Sequence, residues 1–146
     1  MNKEKTSGYL ALIRIKGMLK LNKKVADTLY RLRLRRKYSC VVIKPTKELE
    51  GMFKKIKQFV AFGEIDENTF QDLVEKRGQL IDKKKSFDSK KASQSILSGE
   101  EFEENNLKPF FRLHPPRKGI NTKMSFPKGA LGYHGLKIND LIRRML

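Results

Sequence analysis

The sequence predicts an α+β fold: a β-α-β-α-β unit of about 60 residues, a helical extension, and a basic Pro- and Gly-rich stretch that ends in a helix. Two patterns lead there. Short runs of branched and large apolar residues alternate with apolar stripes at helical spacing, and a residue able to cap a helix precedes the stripes. The chain has 146 residues, about the size of one hydrophobic core. Its segments are therefore read as a β-α-β-α-β core over residues 1–65, a helical extension over 66–107, and a basic stretch with its terminal helix over 108–146.

The elements follow in order. Tyr9 to Ile15, YLALIRI, is short, rich in branched and large apolar residues and closed by Gly17, which predicts a strand with both faces at least partly covered. The basic loop GMLKLNKK comes next. Asn22 can accept a backbone N–H and cap a helix in which Val25, Ala26, Leu29 and Leu32 share one face, while Arg31, Arg35 and Arg36 point elsewhere. YSCVVI is a second strand, ended by Pro45, which has no ladder donor. Thr46 caps a second helix with the stripe Leu49, Met52, Phe53, Ile56, Phe59 and Val60, and Glu48 and Glu50 stand near its positive end. Residues 61 to 65 form the third strand.

Beyond it the signals are weaker. DENTFQDLVEKRG predicts a third helix with Asp66 as cap, Phe70, Leu73 and Val74 inward, and Gly78 as stop. Short helices are expected around residues 87–97 and 101–106, within a segment rich in Ser, Lys and Glu. FFRL is strand-like, and Ile138, Leu141, Ile142 and Met145 share one face of a last helix.

Charge narrows the function. The chain carries 33 Lys and Arg against 16 Asp and Glu, a formal +17, which a polyanionic partner would relieve. The excess is uneven: 17 basic against 5 acidic residues in 1–65, 7 against 10 in 66–105, and 9 against 1 in 106–146. Binding should therefore join the core to the C-terminal stretch. An anionic membrane surface ranks behind nucleic acid, since the basic helix lacks a wide apolar face and the chain has no Trp.

Other classes find little support. The single Cys40 lies among apolar neighbours and reads as a small buried hydrophobe in a reducing compartment. The apolar run behind MNKEKTSG is too short for a signal peptide, and no stretch approaches a membrane span, so a soluble cytoplasmic protein is expected. His114 and His134 sit in no metal-ligand spacing, and neither a nucleophile elbow nor a phosphate loop occurs. No catalytic residue, metal, cofactor or small-molecule substrate is expected. In RLHPPRKGINTKMSFPKGALGYHG, three prolines stiffen a backbone studded with cations, and Tyr133, His114 and His134 offer rings that can stack on unpaired bases or pack on the protein. With few apolar anchors of its own, this stretch is compatible with disorder in the absence of RNA.

Those same residues carry a family resemblance. FRLHPPRKG, FPKGALGYHG and KINDLIRRML, with YLALIRIKG, LRLRRKYSCVVI, GMFKKIKQFVAFGEID and KRGQL, resemble the archaeal and eukaryotic form of large-subunit ribosomal protein L-thirty, called L-seven in eukaryotes. The resemblance spans nearly the whole chain and is weakest over 82–107. Lys118 stands where the family usually has a second glycine, and His134 where arginine is common. The resemblance implies a three-stranded sheet with two helices on one face, related to the ferredoxin-like arrangement. It also implies a non-enzymatic component of the large subunit that binds large-subunit ribosomal RNA close to 5S RNA, among other large-subunit proteins and as a monomer within the ribosome.

The residues expected to meet RNA are Lys16, Lys20, Lys23, Lys24, Arg35, Arg36 and Lys37 from the core, Arg77 within KRGQL, and Arg112, His114, Arg117, Lys118, Lys123, Lys128 and His134 from the C-terminal stretch. Phosphate contacts position such a protein and the shape of the RNA selects the site. Two other readings share part of this pattern. One is a non-ribosomal RNA-binding assembly factor of the same fold; the other is a phosphate-handling enzyme on a ferredoxin-like scaffold, which needs a convergent polar pocket.

Overall fold

The computed structural model describes residues 6–17 and 22–146; Lys20, one of the expected contacts, lies outside them. The first five elements are β1 (Thr6–Arg14), α1 (Lys23–Arg31), β2 (Ser39–Ile43), α2 (Lys47–Ile56) and β3 (Val60–Asp66). Local chemistry sets where the helices begin. Asn22 accepts a hydrogen bond from the Lys24 N–H at 3.1 Å, Thr46 Oγ1 from the Leu49 N–H at 3.4 Å, and Asp66 Oδ1 from the Thr69 N–H at 2.6 Å. Each bond satisfies an amide that has no partner within its own helix.

The strands make a split arrangement. β1 lies between β2 and β3 and is antiparallel to both, so α2 crosses over β1 to join two parallel strands. Both faces of β1 are apolar, and both are covered. Leu12 on one side packs with Leu29, Leu32, Leu34, Val41, Phe53, Ile56 and Val60, the face roofed by α1 and α2. Ala11, Ile13 and Ile15 on the other side join Cys40, Val42, Ala61 and Ile65 under α3 (Glu67–Arg77), α4 (Ser89–Leu97) and α5 (Ile138–Met145). Cys40 is fully buried there, and burial pushes its thiol up to about 12. The four residues expected on the inner face of α5 are all buried.

Two expectations need correction. The sheet has five strands rather than three, in the order β4-β2-β1-β3-β5, because two residues at each edge come from the C-terminal stretch. β4 (Phe111–Arg112) pairs antiparallel with Ser39 and Cys40; β5 (Gly132–Tyr133) pairs parallel with Ala61 and Phe62. The segment expected as a helix over 101–106 is a 3-10 turn, Glu103–Asn105, stopped by Asn106 in the left-handed conformation at φ 60°.

The C-terminal segment is fastened to β3 at close quarters. A Cβ on Gly63 would strike the Gly135 carbonyl and come within 2.9 Å of Ile138 Cβ, so only glycine lets α5 approach there. Buried Asn139 completes the seam. It accepts from the Asp66 N–H at 2.9 Å and donates to the Glu64 carbonyl at 3.1 Å and the Leu136 carbonyl at 2.8 Å. Residues from all three segments of the sequence thus contribute to a single core cluster.

Candidate nucleic-acid interface

Two loops and an edge strand build the denser of two basic groups. After α1, the run RLRLRR alternates: Leu32 and Leu34 are buried, while Arg31, Arg33, Arg35 and Arg36 are exposed. The loop is tied down along its length. Arg33 N–H donates to the Tyr30 carbonyl at 3.0 Å, Leu34 N–H to the Leu29 carbonyl at 2.9 Å, and Ser39 N–H to the Arg36 carbonyl at 3.1 Å. β4 then lays Arg112 opposite Ser39, so a residue more than 70 positions away in sequence joins the loop. Arg33, Arg35, Arg36 and Arg112, with Ser39 and Phe110, line a concavity of about 260 Å³ that, among the described residues, contains no carboxylate.

Aromatic rings hold several of these cations in place. The Arg35 guanidinium lies 4.2 Å from the centroid of Tyr30, Arg112 5.8 Å from Phe110, Lys37 5.0 Å from Tyr38 and Lys16 5.7 Å from Phe59. Lys23 and Lys24 are exposed at the start of α1, whose first turn contains no acid among its residues. Two cations at the positive end of a helix repel it, and an anion relieves that repulsion.

Arg14 organises the group from inside. Only 2 % exposed, it donates from Nη1 to the Leu34 carbonyl at 2.8 Å, from Nε to the Lys16 carbonyl at 3.0 Å and from Nη2 to the Gly17 carbonyl at 3.4 Å. The loops before and after α1 are therefore bolted to one guanidinium. Its burial draws its pKa below the usual arginine value.

The second group is a strap along α5. The amides of His114 and Arg117 donate to the carbonyls of Met145 at 2.9 Å and Arg144 at 3.0 Å, which belong to the last turn of α5 and have no partner within the helix. Arg144 returns the contact, donating from Nε to the Arg117 carbonyl at 3.1 Å and from Nη2 to the Gly119 carbonyl. Leu113, Pro116, Ala130 and Leu131 are buried, so the stretch has apolar anchors after all. His114, Arg117, Lys118, Lys123 and Lys128 remain exposed, as does Lys137 beside them in sequence.

Two expected site residues, His134 and Arg77, need separate placement, as does Tyr133, whose ring was left free to stack or to pack. His134 is turned inward, contrary to its reading as an RNA contact. It is 8 % exposed, its Nε2 donates to the Ala130 carbonyl at 2.8 Å, and its ring lies 4.4 Å from that of Phe126. Burial lowers its pKa, against a smaller raising effect of the Ala130 carbonyl, so the neutral ring is favoured. Tyr133 is exposed, with its ring 5.6 Å from Phe62 and its hydroxyl donating to Glu64 at 2.7 Å, a bond that raises its pKa. Arg77, in the last turn of α3, is half-buried, and its Nε is enclosed with no hydrogen-bond partner among the described residues.

Charge in the sequence missed Arg33, Arg14 and Arg144. The alternation in RLRLRR was the available signal for Arg33, since period-two burial of Leu32 and Leu34 turns it outward. Among the described residues, no group of three or more His, Cys, Asp or Glu is placed to hold a metal, and no helix is long and apolar enough to cross a membrane.

Comparison with known proteins decides the family. Residues 10–60 match the family described as ribosomal protein L30p/L7e. The chain is 38 % identical over 149 residues to the large ribosomal subunit protein uL30 of Archaeoglobus fulgidus, covering 92 % of this chain and 98 % of that protein. The chain belongs to the uL30 family of large-ribosomal-subunit proteins. The uL30 protein of Methanosphaera stadtmanae is 40 % identical over 93 % of this chain and 99 % of its own length, and that of Nanoarchaeum equitans 38 % over 93 % and 97 %. The uL30 family is structural rather than enzymatic. Residues 10–60 include β2 and the whole loop that bears Arg33, Arg35 and Arg36, so the family match falls on the denser basic group.

Proposed function

We propose that the protein binds and stabilises large-subunit ribosomal RNA within the cytoplasmic ribosome, as a monomer beside other large-subunit proteins. The two basic groups clamp RNA by neutralising phosphates, with Arg33, Arg35, Arg36 and Arg112 at the β2–β4 edge and Arg117, Lys118, Lys123 and Lys128 along the strap. Proximity to 5S RNA is part of this reading and rests on the family resemblance. The observation that carries the proposal is the concavity, free of carboxylates among the described residues, where β4 brings a distant arginine to three others in the loop after α1. Four guanidiniums around one opening repel each other until an anion enters, and planar guanidinium groups match phosphate oxygens bidentately. Arg77 is a further contact of this reading on the strength of the family-like KRGQL alone, since its Nε is enclosed.

Salt titration tests the mechanism. Each neutralised phosphate adds about 0.7 to 0.9 to the slope of log affinity against log salt, so six contacts predict a slope of about −4 to −5 for a large-subunit RNA fragment. A flat response would overturn neutralisation as the mechanism.

A further inference from the structure

Resting on the RNA-binding reading, we infer that the concavity at the β2–β4 edge takes an unpaired nucleotide, its phosphate among Arg33, Arg35, Arg36 and Arg112 and its base against the ring of Phe110 and the adjoining guanidinium planes. Shape is the first argument. A duplex presents its phosphates on a convex cylinder with its bases inside, so it can touch the rim of a concave site but cannot fill it. A bulged or splayed nucleotide can.

Lining chemistry is the second argument. Phe110 belongs to the wall itself, and Arg35 and Arg112 each lie over an aromatic ring, which fixes guanidinium planes where a base can stack. A site for phosphate alone would need the cations and not the ring. Preorganisation is the third. Arg33 at φ 64° and Tyr38 at φ 65° bracket the loop in the left-handed conformation, which costs a side-chain-bearing residue energy and persists only where the surroundings enforce it. Here the enforcing contacts are fully buried Leu34 and the bond from Arg14 to its carbonyl. The loop is held in one shape before any ligand arrives.

The test uses the full chain and two RNA hairpins of the same stem, one perfect and one with a single bulged 2-aminopurine. Affinity is read by anisotropy and base stacking by 2-aminopurine fluorescence. The bulged hairpin should bind about tenfold more tightly at equal salt, with its fluorescence quenched on binding. Phe110→Leu should abolish the quenching and most of the preference while leaving the salt slope unchanged. Arg33→Asn, whose short amide tolerates the left-handed backbone, removes one guanidinium without disturbing the core and should weaken the bulged hairpin more than the perfect one. Equal affinity for the two hairpins with a steep salt slope overturns the nucleotide site and spares phosphate neutralisation. Weak, salt-independent binding of both overturns the two together.

Discussion

Lys118 occupies the third position of the turn from Pro116 to Gly119, closed by the Gly119 N–H donating to the Pro116 carbonyl at 3.1 Å, with φ of 65°. Left-handed backbone at that position suits glycine, because a Cβ crowds the following carbonyl at a cost of about 1–2 kcal/mol. The turn survives the lysine because the residues on either side of it are pinned: Arg117 by its amide to the Arg144 carbonyl, Gly119 by the Arg144 guanidinium. Lys118→Gly should therefore raise the unfolding free energy by about 1 kcal/mol in urea denaturation, part of the relief being offset by the freer unfolded chain. An unchanged or lower midpoint would mean that residue 118 is not left-handed in solution. The same scale shows what charge alone cannot reveal in a sequence. Arg14, Arg33 and Arg144 are identical letters, yet one is enclosed beneath two loops, one faces solvent, and one clamps a turn. Likewise His134 and His114 sit in similar basic surroundings, and only the packing of Phe126 and the Ala130 carbonyl separates the inward ring from the exposed one.

Among the elements, those announced by local chemistry were readable and those made by distant pairing were not. Asn22, Thr46 and Asp66 cap the helices they precede, and Gly78 follows α3, because a cap acts within three residues of itself. The apolar run of β1 also signalled cover on both faces. FFRL was strand-like where β4 lies, but nothing local gave its pairing with β2, and nothing local marks β5, two residues long and held only by its register with β3. The concavity shares this origin, for Arg112 reaches the loop after α1 only through β4. Its other support is Arg14, one side chain of β1 holding carbonyls on both sides of α1. Arg14→Met keeps apolar bulk but leaves three carbonyls without that donor, and should cost about 2–4 kcal/mol in chemical denaturation. RNA affinity should fall as well, although Arg14 itself is buried, because the loops bearing Lys16, Arg33 and Arg35 lose their common anchor. Arg14→Lys should not rescue either quantity, since one ammonium cannot reproduce the planar fork. A variant that lost stability but bound RNA as tightly as the parent would show that the loops hold their shape without this guanidinium.

At the scale of the molecule, the same C-terminal stretch closes both edges of the sheet, covers one of its faces and supplies one of its basic groups. Leu113, Leu131, Ile138, Leu141, Ile142 and Met145 all belong to the cluster that buries Ala11, Ile13, Cys40, Val42 and Ala61. Removing 108–146 would uncover that face and free the outer edges of β2 and β3, leaving unpaired backbone groups beside exposed apolar surface. A fragment of residues 1–107 should therefore show no cooperative thermal transition by circular dichroism, even though it contains the entire β-α-β-α-β unit. Adding a separate peptide of residues 108–146 should restore a transition, because what the fragment lacks is cover for its core and not covalent continuity. RNA is expected to restore less, since phosphates neutralise charge but cannot replace the apolar face of α5. A fragment that unfolded cooperatively on its own would mean that α3 and α4 suffice to close the core, and that the C-terminal stretch serves the basic surface alone.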